Sequence, residues 1–202
     1  LGQIRFDERS EFELILVVDQ GDRRYLRFGT SGGGYQSTIS LSDPEAVPME
    51  YVRLAMLAMV MTPRREHALM IGLGGGVFSS QLRRYDPDLW IDAVEIDPVV
   101  VKAARRFFGV REDKRFRIHV RDGAEFIRET RRTYDLVFLD AYSGEGVPPK
   151  LVSPAFFEAV KARVNEGGVV VANLWKLGKQ EDPVAATFGA AFPQTAGIRT
   201  KD

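Results

Sequence analysis

Ala68-Leu-Met-Ile-Gly72-Leu-Gly74-Gly-Gly76 is the stretch on which the fold turns. Its first half is continuous in apolar residues, as a strand is when helices cover both faces of its sheet. Its second half is a glycine turn of spacing G-x-G-x-G that feeds a helical pattern over 77–85. Glycines let a backbone turn tightly and approach a ligand, and a helix start offers unpaired N–H groups. A glycine cluster taken alone is a weak signal, since some are only tight strand–helix turns.

Downstream the same alternation repeats. Strand patterns cover 68–73, 89–95, 116–120, 134–139 and 168–174; helical patterns cover 77–85, 98–107, 124–131 and 154–164, with a last one at 183–192. Repeated βα units predict an α/β fold: an open, doubly wound, mostly parallel sheet. Upstream the period shortens. Apolar runs at 13–18, 24–28 and 35–41, separated by Gly21-Asp22 and Gly29–Gly34, predict a small N-terminal antiparallel β domain. The boundary falls near 43, giving domains 1–43 and 44–202. Asp43-Pro44 reads as the cap and first turn of a helix that continues through Met61 to a stop at Pro63.

Ligands on such sheets sit at the carboxyl ends of the strands. The first strand ends at Gly72, Gly74 and Gly76. The second ends in Val94-Glu95-Ile96-Asp97, where a carboxylate can accept both ribose hydroxyls of a nucleoside; Asp97, before Pro98, also caps the next helix. The third ends in Asp122-Gly123, which can accept an adenine amino hydrogen or cap a helix. A dinucleotide fingerprint from Gly72 requires glycine at position 77, which is Val77, so a dinucleotide ranks behind adenosine without pyrophosphate. The fourth strand ends in Leu139-Asp140-Ala-Tyr142-Ser143-Gly-Glu145-Gly-Val-Pro-Pro149, a carboxylate under a glycine- and proline-rich cover. Trp175, after the fifth strand, reads as core or as pocket wall.

Bulk properties exclude several classes. The 202 residues carry 28 basic and 28 acidic side chains, so no global field draws the chain to nucleic acid or to an acidic membrane. With no cysteine, disulfides and thiolate chemistry are absent, and two histidines make a histidine-rich metal site unexpected. No apolar run approaches the roughly 20 residues that span a bilayer. A cytoplasmic protein without a metal, acting on a small molecule, is the expectation.

Taken in order, these elements resemble the spermidine synthase (aminopropyltransferase) family. The resemblance rests on the β-hairpin N-terminal region, Tyr35-Gln36, a helix carrying Tyr51, the loop at 72–76, Val94-Glu95-Ile96-Asp97, Asp122-Gly123, and Tyr134-Asp-Leu-Val-Phe-Leu-Asp140. Pro154-Ala-Phe-Phe157 and Asn165-Glu-Gly-Gly168, read as a turn, also fit. It implies the sheet of S-adenosylmethionine-dependent methyltransferases and, as co-substrate, decarboxylated S-adenosylmethionine or its intact form. Glu95 would hold the ribose and Asp122 with Gly123 the adenine. Asp140 would be the general base for an amine acceptor. Gln36 would line the cofactor side, and Tyr51, Tyr142, Ser143 and Glu145 the acceptor side. A homodimer paired through the N-terminal strands is implied as well.

Departures from the family pattern point one way. The family's glycine loop reads G-G-G-D-G, and its aspartate anchors the aminopropyl ammonium; this chain has Gly75 there. The family's second loop aspartate is Ser143 here, with Glu145 as a substitute, and the His-Glu that follows the helical tyrosine is Val52-Arg53. A diamine pocket should present carboxylates at both ends, because unpaired buried ammonium groups are costly. Three polar groups lost and Arg53 added predict a changed acceptor, a changed cofactor form, or both. The alternatives are a methyltransferase, and a silent nucleoside-binding or assembly domain. The family closes its sheet with a β-hairpin, whereas this sequence reaches only a strand pattern at 196–200.

Overall fold

The computed structural model describes residues 2–29, 35–43, 45–143, 146–174 and 183–198. Glu145 and Trp175 lie outside them.

Among the described residues, nine strands form two sheets. β1 (Gln3–Arg9), β2 (Leu14–Gln20), β3 (Arg23–Phe28) and β4 (Tyr35–Ser40) make an antiparallel meander. β5 (His67–Ile71), β6 (Trp90–Glu95), β7 (Phe116–Val120), β8 (Tyr134–Leu139) and β9 (Val164–Ala172) make an all-parallel sheet of order β7-β6-β5-β8-β9. The chain leaves β5 toward β6 and β7, then returns to β8 on the opposite side of β5. That reversal creates a switch point between β5 and β8, where a crevice opens at the carboxyl ends.

Strand alternation sorts the core into layers. Ala68 and Met70 of β5, with Leu136 and Phe138 of β8, face one side with Phe78 and Leu82 of α3 (Val77–Tyr85). Leu69, Ile71, Val137 and Leu139 face the other. There they meet Phe126 of α5 (Gly123–Glu129), Phe156, Phe157 and Val160 of α6 (Pro154–Lys161), and Phe188 of α7 (Pro183–Ala191). Each such side chain, fully buried, contributes about 1.5–3 kcal/mol. α4 (Pro98–Phe107) serves both sheets. Val101 and Ala104 enter the first layer, while Val100 and Ala103 pack on Phe6, Ile15, Val17, Leu26 and Phe28 of the meander.

The structure corrects the reading of 44–61. Asp43 does not cap a helix: its Oδ1 accepts the Glu45 N–H at 3.0 Å in a local turn. Pro48 disfavours helical geometry at the residue before it, and α1 begins only at Glu50 (Glu50–Ala55). Leu57 N–H then bonds Leu54 O, and Met59 N–H bonds Met56 O. These i→i−3 contacts tighten the chain and split off α2 (Ala58–Met61).

Three other differences are smaller. β1 is an additional strand whose only buried residue is Phe6, so its alternation is faint. Asn165–Gly168 is not a turn between elements but part of β9. The ladder there skips from Tyr134↔Val164 to Leu136↔Val169 around Gly167, whose φ is 73°. Residues 196–198 form no strand; 199–200 lie outside the described residues. No helix among the described residues is long and apolar enough to cross a membrane.

Candidate active site

The strand ends at the switch point open into one cleft enclosing about 1300 Å³, its open mouth included. Gly72, Gly74, Glu95, Asp122, Gly123, Gln36, Tyr51, Asp140, Tyr142 and Ser143 all line it. Gly76 does not. It starts α3 with φ 67°, and a Cβ there would strike Val110 Cγ2 at 2.3 Å, so its role is to turn the backbone.

The floor is where β5 and β8 end side by side. Asp140 N–H continues the ladder onto Ile71 O at 2.9 Å, and Gly72 follows with φ 99°. A Cβ at Gly72 would lie 2.3 Å from Asp140 O and 2.9 Å from Ala141 Cα, so only glycine fits. The glycine turn and Asp140 are thereby held in main-chain contact.

Where β6 and β7 end, the carboxylates are tied to backbone. Glu95 Oε2 accepts Leu73 N–H at 3.0 Å and Gly74 N–H at 3.4 Å, and Oε1 accepts Asp97 N–H at 3.1 Å. Burial nevertheless raises its pKa above the usual range, against those donors. Asp97 caps α4 through Val99 N–H at 2.8 Å and accepts the Ser10 hydroxyl at 2.6 Å. This second bond docks the β1–β2 turn onto the parallel sheet. Asp122 caps α5 through Ala124 N–H (2.7 Å) and Glu125 N–H (3.1 Å), and its Oδ2 pairs with Lys150. Burial pushes Asp122 upward, yet Lys150 and the two amides outweigh it and hold the pKa low. Both readings of Asp97 and Asp122 thus coexist: each caps a helix and each lines the cleft.

At the other end Asp140 is held by side chains. Asn173 Nδ2 donates to Oδ1 at 2.9 Å, and the Tyr51 hydroxyl donates to Oδ2 at 3.1 Å. Burial lifts its pKa to about 6 in spite of both bonds. Burial first, then the Asp140 charge, raise Tyr51 well above its ordinary value. The Tyr142 hydroxyl is committed to Asn173 O at 2.7 Å. Ser143 closes its loop by paired main-chain bonds with Gly146 and by a hydroxyl bond to Gly146 O at 3.0 Å.

The departures also find physical explanations. A Cβ on Gly75 would come within 2.8 Å of Ser37 Cβ and 2.9 Å of Phe108 Cδ1, so an aspartate has no room there. Instead Gly75 N–H donates to Ser37 Oγ at 2.8 Å. Val52 belongs to the core, 1% exposed. Arg53, expected to burden the acceptor pocket, turns back to Val47 O at 2.6 Å and does not line the cleft.

Among the groups not singled out from sequence, Phe12 and Glu13 of the β1–β2 turn and Lys150 line the cleft, and Asn173, just past the end of β9, bonds the Asp140 carboxylate. Asn173 closes a strand, so the strand-end rule reaches it. Phe12, Glu13 and Lys150 arrive through loop docking, which leaves no local signal. No group of three or more His, Cys, Asp or Glu side chains among the described residues has a metal-holding arrangement.

Known proteins share this architecture. The spermine/spermidine synthase domain family matches residues 50–181. The polyamine aminopropyltransferase of Vibrio vulnificus is 32% identical over an alignment of 214 residues, covering 98% of this chain and 72% of that one. A spermidine synthase, solved in complex with the transition-state analogue AdoDATO, superposes with a TM-score of 0.74 at 20% identity. The match covers 94% of this chain and 65% of that chain, and at this identity it is a likeness of fold. Human methyltransferase-like protein 13, solved in complex with SAH, is 29% identical with a TM-score of 0.61, over 72% of this chain and 74% of its own.

Proposed function

This chain belongs to the spermine/spermidine synthase family, and from that premise we propose that it transfers an alkyl group from an adenosyl sulfonium to an amine, with Asp140 as base. The carrying observation is the place of Asp140: a carboxylate of pKa about 6, at the switch point, touching the glycine turn inside the cleft. A base whose pKa lies near neutrality suits general base catalysis. Asp140 takes a proton from the acceptor ammonium; the freed lone pair forms the N–C bond as the C–S bond breaks, and the sulfur leaves as a neutral thioether. Such a donor carries its own leaving group, so the protein's part is alignment and deprotonation.

Charge supports a cationic pair of ligands. Among the described residues, five carboxylates (Glu13, Glu95, Asp97, Asp122, Asp140) and one ammonium (Lys150) line the cleft. In this reading Glu95 holds the ribose, accepting a hydroxyl on the lone pair its three backbone donors leave. Asp122, with Gly123 at its side, receives the adenine amine in exchange for Lys150. Gln36, Gly72 and Gly74 flank the donor, while Tyr51, Tyr142 and Ser143 flank the acceptor. The leading donor is decarboxylated S-adenosylmethionine, giving aminopropyl transfer to an acceptor other than putrescine, since Ser143 stands where a diamine pocket needs a carboxylate.

One observation favours methyl transfer from intact S-adenosylmethionine as the second reading. The crowding at Gly75 removes the carboxylate that would repel the methionine carboxylate. Titration calorimetry with both donor forms, then single-turnover reactions with putrescine and a panel of monoamines, separates the readings by product mass. Binding of the decarboxylated form alone, with turnover of putrescine, would overturn the divergence. Binding of neither form would overturn the transferase itself.

The same reading places the protein in the cytoplasm as a homodimer. The outer face of the meander, where Ile4 is 58% and Tyr35 48% exposed, is the pairing surface that sedimentation velocity would test with Ile4→Glu.

A further inference from the structure

Asn173 spends its N–H, its C=O and its side-chain amide on the one segment that carries Asp140. The N–H donates to Leu139 O at 2.9 Å, and the carbonyl accepts the Tyr142 hydroxyl at 2.7 Å. These two main-chain bonds suffice to register the end of β9 against β8 and the following loop. The side-chain bond to Asp140 Oδ1, at 2.9 Å, is additional.

We propose that Asn173 is a positioning residue which, with Tyr51, clamps the Asp140 carboxylate and directs the transferred proton to Oδ2. The inference rests on the reading of Asp140 as the base. The terminal torsion of an aspartate is broad and roughly two-fold, so an unheld carboxylate presents its lone pairs in many directions. Donors on both oxygens, from β9 on one side and α1 on the other, remove that freedom before the reaction begins. The two donors differ in kind. An amide NH₂ can only donate, so Oδ1 must remain an acceptor. The Tyr51 hydroxyl can turn and accept, so Oδ2 can take up a proton without leaving a donor facing a donor. The N–H bond of the acceptor ammonium breaks, an O–H bond forms at Oδ2, and the Tyr51 O–H rotates to receive it. The titratable group that faces Asp140 among the described residues is Tyr51 from α1, and Tyr142, from the loop after Asp140, acts in turn on Tyr51.

The titration can be followed with no acceptor present. Protein labelled with ¹³C at the aspartate carboxyls, with the Asp140 signal identified by its loss in Asp140→Asn, reports the titration of that one group. Wild type is expected to titrate near 6. Asn173→Ala removes a donor to the charged form and should raise that midpoint by about one unit. Asn173→Asp is isosteric, keeps both main-chain bonds and sets a second carboxylate against the first, so it should raise the midpoint further. If the alanine variant does not fold, the aspartate variant decides. With a competent amine, the acid limb of kcat/KM should move with the carboxyl midpoint, and kcat should fall about tenfold while donor Kd stays within twofold. A folded Asn173 variant whose Asp140 midpoint and acid limb stay at wild-type values overturns the clamp and leaves Asn173 as a strand fastener. A moved midpoint in a protein that transfers nothing to any amine upholds the clamp and overturns the assignment of Asp140 as base.

Discussion

The two ends of the cleft use the same functional group in opposite ways. At the β6–β7 end, Glu95, Asp97 and Asp122 are anchored by main-chain N–H groups, and two of the three cap helices. At the β5–β8 end, the Asp140 carboxylate meets, among the described residues, a tyrosine hydroxyl and an asparagine amide, and burial dominates its pKa. A carboxylate that satisfies backbone donors is part of the fold's own hydrogen bonding, so removing it damages the scaffold as well as the site. A carboxylate kept by side chains in a dehydrated place is a cost to the fold, retained for chemistry. The contrast separates losses that should appear in stability from losses that should appear in rate.

Asp140→Asn should give the largest effect, a 10²- to 10⁴-fold loss of single-turnover transfer with donor affinity nearly unchanged. The same change should stabilise the protein at pH 8. A folded-state pKa raised from 3.8 to about 6 means the native state holds its proton longer than the unfolded chain. The associated stability is fully present below about pH 4 and declines as pH rises through 6, by about 3 kcal/mol in all. Urea titrations from pH 4 to 8 would show that slope in wild type and its absence in the asparagine variant. A variant less stable than wild type at pH 8 would erase the distinction between the two ends.

Gly72→Ala should come next, costing about 3 kcal/mol by urea unfolding, because it combines a positive φ with overpacking against main chain that cannot swing aside. Asp122→Ala should cost about 1 kcal/mol through the lost cap of α5, and should weaken donor binding besides. Loss of affinity with no loss of stability would show that the cap is dispensable and the two ends more alike than described. The smallest effect belongs to Lys150→Ala. Its ammonium is half exposed, so stability should change by less than about 0.5 kcal/mol, while the donor should bind as well or better once Asp122 is released.

How far the sequence reaches depends on the range of the forces involved. The parallel strands and α3 and α4 are legible because burial on both faces writes continuous apolar runs, and caps such as Asp97-Pro98 mark helix starts locally. β1 escapes because an edge strand with one buried side chain carries almost no pattern. The late start of α1 escapes because Asp43-Pro44 reads as a helix opener, while Pro48 inside the apolar pattern bars helical geometry just before it. The strand ends make Glu95, Asp122 and Asp140 legible. Glu13 reaches the cleft because Ser10 bonds Asp97 across 87 residues of chain, a contact with no local trace. Arg53 reads as a charge in the pocket, yet a nearby carbonyl holds it elsewhere.

The closeness of Gly72 to the Asp140 carbonyl has a bearing on how such a protein can change over generations. Where the glycine turn and Asp140 touch through main chain, their spacing is not adjustable by swapping side chains on either. Drift that enlarges or tilts that gap is blocked at its first step, since every residue with a β-carbon is too large. Variation is therefore channelled to the side chains around that contact, such as Ser143 on the cleft wall, which can be exchanged with the main-chain geometry left intact.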